Sequence, residues 1–144
     1  MDLLERARAI AACPLFADLA PAVLIRLAER ARPSSLERGE RKTTDDTVWI
    51  VVDGSLVIAS QAAMNAMASI STTRRHGGTA TRGHVLGLVR VIAPQTPALD
   101  AVAEQPSTVI GISVHDIRDV LEEDPVALAA LSAALAKRLL EGGP

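Results

Sequence analysis

Asp53-Gly54 stands between two runs of β-branched and aliphatic side chains, Thr47-Val48-Trp49-Ile50-Val51-Val52 before it and Ser55-Leu56-Val57-Ile58-Ala59 after it. Two such runs separated by this dipeptide read as strands joined by a tight hairpin, the sharpest such signal in the chain. Val85 to Ile92 and Thr108 to Ile112 are further strand candidates, the second approached through Pro106. Gly39, Gly54, Gly83 and Gly87 punctuate the region as turn or bulge positions, where a residue without a Cβ is needed. Several short strands with frequent turns predict a sandwich or barrel.

Helical patterns frame this region. Leu3, Leu4, Ala7 and Ile10 recur at helical spacing, and Pro14 ends that segment by pushing its predecessor out of the helical region. A second helix is expected from Pro21 to about Ala31, with Val23, Leu24, Leu27, Ala28 and Ala31 on its apolar face. The link between them carries Phe16, read as a core plug. After the strands, Ser113 with Asp116 forms an N-cap pair, and Asp124-Pro125 restarts a helix. Leu128, Leu131, Leu135 and Leu139 then mark an apolar stripe ending before Gly142-Gly143. Ser60 to Arg82 reads as a long connection, within which Ala62 to Ala68 favours helix by propensity.

Composition narrows the function classes. The 144 residues are 49% hydrophobic and 22% charged, enough for one domain with a real core. A net charge of −2 and a single Trp and single Phe with no Tyr argue against nucleic-acid binding, which uses a basic surface and stacking platforms. Cys13 is the one cysteine, so no internal disulfide forms and a cytoplasmic setting is expected. No run approaches the roughly 18 apolar residues of a membrane helix, and the charged N-terminus is no signal peptide.

No chemistry-bearing constellation emerges. His76, His84, His115 and Cys13 are scattered, without metal-ligand spacing. Asp45-Asp46 and Glu122-Glu123-Asp124 read as a turn and a helix junction, and Arg74-Arg75-His76 as a solvated loop. There is no nucleophile elbow and no glycine-rich phosphate loop. Neither a catalytic residue, a metal nor a cofactor is expected, and the chain does not read as an enzyme.

The order of these motifs is similar to that of the cyclic nucleotide-binding domain family. Pro14-Leu15-Phe16-Ala17-Asp18-Leu19-Ala20-Pro21 resembles its helical opening, and Leu36-Glu37-Arg38-Gly39-Glu40 its first strand and Gly-Glu turn. Trp49 through Val57 resembles its aromatic-led strand, glycine hairpin and return strand. Arg82-Gly83-His84-Val85-Leu86-Gly87 looks like the approach to its phosphate cassette, and Ser113 onward like its closing helices. The resemblance implies an α+β, mainly β chain: an antiparallel β-roll or jelly roll with flanking N-terminal and C-terminal helices. One domain over 1–144 is expected, with helices in 1–33, the roll in 34–113 and helices in 114–141.

The departures from that family bear on function. Its cassette reads glycine-glutamate, a short helix, then an arginine and small residues; the glutamate takes the ribose hydroxyl and the arginine the cyclic phosphate. Here Gly87 is followed by Leu88 and Val89, the arginine position falls on or near Pro97 beside Ala98, and a small-residue position falls on Asp100. Losing those two contacts costs roughly 1.5–3 kcal/mol each, and Asp100 would repel a phosphate. Arg90 either swings into the pocket or stays solvated. The loop from Gly39 to Trp49 is also shorter than the family's usual one.

The expectation is therefore a non-catalytic regulatory or protein-interaction module that has lost cyclic nucleotide binding. The alternative is a working sensor for a cyclic nucleotide or another, less anionic small molecule. Its degenerate pocket would comprise Gly87, Leu88, Val89, Pro97, Ala98 and Asp100. The stripe Leu128, Leu131, Leu135 and Leu139 would mediate a homodimer or dock an attached domain of a larger protein, or else pack back on the roll as its lid.

Overall fold

The computed structural model describes residues 1–58 and 78–141. Two helices, α1 (Leu3–Ala11) and α2 (Pro21–Glu29), lead into β1 (Arg32–Leu36), β2 (Arg41–Thr43), β3 (Thr47–Asp53) and β4 (Ser55–Ile58). After the interruption come β5 (Thr79–Thr81), β6 (Val85–Leu86), the one-turn helix α3 (Val89–Ile92), β7 (Asp100–Ala103) and β8 (Ser107–Ser113). Helices α4 (Val114–Glu122) and α5 (Pro125–Glu141) close the chain. The strands form two four-stranded antiparallel sheets, ordered β1-β8-β3-β6 and β2-β7-β4-β5. The chain is thus mainly β with flanking helices, a β-roll.

The caps read from sequence hold the helices. Ser113 Oγ accepts the Asp116 N–H at 2.9 Å, and Asp124 Oδ1 accepts that of Ala127 at 3.1 Å. Pro21 occupies the first turn of α2, where its missing N–H leaves no orphan. Helix α2 stops at Glu29, two residues short of the expected end, because Pro33 lies inside β1 and the chain must already be extended at Arg32.

Asp53-Gly54 does not close a hairpin. Strand β3 pairs with β8 and β6, whereas β4 pairs with β5 and β7, so the chain crosses from one sheet to the other at Gly54. A register shift between Val51 and Asp53 and a φ of 106° at Gly54 make the corner. Two other expectations also change. Only Val85–Leu86 of the run Val85 to Ile92 is strand; Gly87 turns the chain and the rest winds into α3. Thr79–Thr81, at the end of the expected long connection, is strand β5, while Ala62 to Ala68 and Arg74-Arg75-His76 lie outside the described residues.

Both faces of the β1-β8-β3-β6 sheet are covered. Val48, Ile50, Ile110 and Ile112 point to the helices and join Ile10, Phe16, Leu27, Ile117 and Leu131 in one core. Val51 and Val109 point into the roll with Leu56, Ile58, Leu86 and Ala101. That period of two, buried on both sides, is why β3 reads as a continuous apolar run. Trp49 closes the roll half-buried, its Nε1 donating to Thr43 O at 2.8 Å and Lys42 Nζ lying 5.2 Å from its ring centroid.

Candidate functional site

Between β6 and α3 the chain turns at Gly87, whose φ is 88°. A Cβ there would stand 2.8 Å from Thr44 Cβ, so only glycine fits without displacing Thr44. Thr44 is 1% exposed and bridges two loops. Its N–H donates to Leu99 O at 2.9 Å, and its Oγ1 accepts the Leu99 N–H at 2.7 Å.

Leu88 follows, 2% exposed, and packs with Val91 into the helix-side core. A cavity of about 230 Å³ lies beside it, walled chiefly by Leu15, Val85, Leu88, Leu99 and Leu135. Of the six pocket residues read from sequence, Gly87, Leu88, Val89 and Pro97 line this cavity, and Ala98 and Asp100 do not. Asp100 is instead the first residue of β7, in register with Thr43.

Arg90 turns inward rather than into solvent. Its Nη1 donates to Thr96 O and its Nη2 to Asp45 O at 3.0 Å, with the Asp45 carboxylate 4.0 Å away. Its Nε is sealed from solvent with no partner among the described residues. The guanidinium therefore staples the loop after α3 to the β2–β3 turn. Arg118 braces the same helix from α4, donating from Nε to Val91 O at 3.1 Å and from Nη2 to Arg90 O at 3.2 Å. Both cations are occupied by backbone carbonyls: Arg90 by those of two loops, and Arg118 by the free acceptors at the C-terminus of α3.

Sequence reasoning missed Leu15 and Thr44 as wall residues, because their contact with the cassette crosses tens of residues of chain, and passed over Leu99 although it stands between Ala98 and Asp100. Leu135, in the stripe read as either an interaction seam or a lid on the roll, is 9% exposed and lines the cavity. Leu131 is 1% exposed in the core, Leu128 is 39% exposed, and the side chain of Leu139 lies outside the described residues. Of the histidines, exposed His84 accepts the Thr81 N–H at its Nδ1, 2.9 Å away, and His115 pairs with Asp119 at 3.4 Å. No helix among the described residues is long and apolar enough to cross a membrane.

No protein-family model matches this sequence, and no curated protein does. Solved structures match the fold. A protein assigned as cyclic nucleotide-binding from Geobacter metallireducens GS-15 superposes with a TM-score of 0.71 at 19% identity, over 98% of each chain. One so assigned from Ruegeria pomeroyi DSS-3 gives 0.70 at 17% identity, covering 98% of this chain but only 61% of its own. The sensor domain of the transcriptional regulator DNR from Pseudomonas aeruginosa gives 0.68 at 16% identity, over 96% of this chain and 91% of that one. The fold is the β-roll of these cyclic nucleotide-binding-like structures.

Proposed function

We propose that this chain is a non-catalytic regulatory domain that no longer binds cyclic nucleotides and acts through its last helix. The observation that carries the first half is Leu88. At the position matching the family's glutamate it offers no acceptor for a ribose hydroxyl, and its side chain belongs to the core. Arg90, the nearest cation, has both terminal nitrogens committed to carbonyls. A cyclic phosphate arriving there would lose its hydration without gaining the bidentate partner that offsets such a loss.

Support for the second half comes from α5. From Pro125 to Ala136 the helix carries no charged residue. It is buried along one ridge, Ala127, Leu131 and Leu135. On the other side Val126, Ala129, Ala133, Ala136 and Leu140 are all exposed, at alternating spacings of three and four. That is the repeat of a two-helix seam, and small residues let two backbones approach closely. A surface helix ordinarily keeps charge on this side. A second copy of the chain, presenting the same seam, is the occupant it fits. The whole reading is tested by isothermal titration with cyclic AMP and cyclic GMP alongside light scattering. Silent titrations and a concentration-dependent dimer are expected; a micromolar constant for either nucleotide would overturn the first half.

A second reading, a sensor for a less anionic ligand, is favoured by the apolar cavity beside Leu88.

A further inference from the structure

We infer that the cavity beside Leu88 takes a small neutral apolar molecule; this rests on the reading that the charged contacts for a cyclic nucleotide are gone. Its volume is about 230 Å³. A dry apolar cavity of roughly 150 Å³ already holds benzene in another protein, so a molecule on the order of ten non-hydrogen atoms fits here. The walls Leu15, Val85, Leu88, Leu99 and Leu135 present hydrocarbon.

The principal polar groups of the lining are already engaged. Thr44 Oγ1 accepts from Leu99, and Thr96 O and both Arg90 terminal nitrogens satisfy one another or Asp45. The remaining Arg90 Nε is sealed from solvent. An anion would be desolvated against the charge of Arg90 alone, without a bidentate hydrogen bond to offset the loss, and the apolar inner walls offer water few of the two to four polar partners it needs. Exposed Val89 and Pro97 are the outermost of the lining residues and form the mouth. The walls come from the α1–α2 link, β6, the cassette, the loop before β7 and α5, so an occupant adds contacts between α5 and the roll.

The test uses three probes on the full chain: toluene, benzoate as its anionic counterpart, and cyclic AMP. Calorimetric melting and methyl NMR are the readouts. Millimolar toluene should raise the melting temperature by about 3 °C. It should shift the methyls of Leu15, Val85, Leu88, Leu99 and Leu135, with benzoate at least tenfold weaker. Leu99→Trp, which fills the cavity from its half-buried wall, should abolish the effect; Val89→Trp at the mouth serves if that variant does not fold. Unmoved methyls and melting with toluene, benzoate binding as well as toluene, or a toluene effect surviving a folded filled variant would each overturn the inference. If cyclic AMP is also silent, the proposed function stands without it. Binding of cyclic AMP at these methyls would overturn both.

Discussion

Gly54 and Ser107 press together where the chain passes between the two sheets: a Cβ built on Gly54 would stand 2.1 Å from Ser107 Oγ. Ser107 sits 5% exposed at the matching corner, where β7 gives way to β8. Its hydroxyl accepts the Ser55 N–H at 3.1 Å and donates to Gln105 O at 2.9 Å. One buried hydroxyl thus satisfies backbone groups of both crossovers, and the missing Cβ lets it approach.

Gly54→Ala should therefore destabilise the domain by about 2–4 kcal/mol, combining the strain of a left-handed backbone with overpacking. Urea denaturation should show the loss. Adding Ser107→Gly should not restore it, because the new Cβ would still stand 2.7 Å from the Ser107 Cα and the Ser55 N–H would lose its acceptor; a Gly54→Ala variant as stable as the parent would contradict the corner geometry.

Leu88 makes a different kind of prediction. The family resemblance suggests that glutamate at this position would rebuild the cassette. In the fold the side chain is 2% exposed and packed in the core. Leu88→Glu should lose the leucine's burial and bury a carboxylate, destabilising by at least about 3 kcal/mol at pH 7. Burial raises a carboxyl's pKa, so part of the loss should return as the pH falls through that raised value. Denaturation at pH 5 and pH 7 measures it; a fully stable variant that gains cyclic AMP binding would contradict the core packing of position 88.

The features legible in the sequence were those set by local backbone needs. Gly39, Gly54, Gly83 and Gly87 are the described glycines with positive φ. Ser113, Asp124 and Pro21 cap or start their helices because orphan N–H groups need nearby acceptors or no donor at all. What was illegible depends on distant packing. Asp53-Gly54 looks the same whether the next strand pairs back or crosses to another sheet, and only the β3·β8 and β4·β7 ladders decide. A run such as Val85 to Ile92 is apolar enough for a buried strand or a buried turn of helix. In α5, leucines and alanines are both apolar, so the pattern could not say that Ala127, Leu131 and Leu135 form the buried ridge. The cavity was legible only in part, since Leu15, Thr44 and Leu135 reach the cassette through the tertiary fold.

Cys13 gives a pH prediction. It is fully buried, its Sγ donating to Ala9 O at 3.5 Å, and burial pushes the thiol from 9.0 up to about 11. The folded state then holds this proton more tightly than the unfolded chain. Its stabilising contribution is complete below pH 9 and is lost as the pH rises from about 9 to about 11, amounting to about 2–3 kcal/mol. Cys13→Ala should lower stability at pH 7 through the smaller side chain, yet flatten the decline between pH 9 and 11. An identical alkaline decline in both proteins would show that the thiol does not cause it.

The two sides of α5 separate by mutation. Leu131 is 1% exposed in the helix-side core, so Leu131→Ala should cost about 2–5 kcal/mol whatever the oligomeric state. Ala133 and Ala136 are exposed on the opposite side, and glutamate is a good helix former. Ala133→Glu with Ala136→Glu should therefore leave the folded circular-dichroism spectrum unchanged and monomer stability within about 0.5 kcal/mol per substitution. If α5 pairs with its copy through Val126, Ala129, Ala133, Ala136 and Leu140, the double variant places four carboxylates along one apolar seam. Like charges there repel at short range, and light scattering should show dissociation to monomers at concentrations where the parent is dimeric. A double variant that stays dimeric would move the interface to another surface. A parent that scatters as a strict monomer at millimolar concentration would remove self-association altogether, leaving α5 as the wall that Leu135 supplies to the cavity.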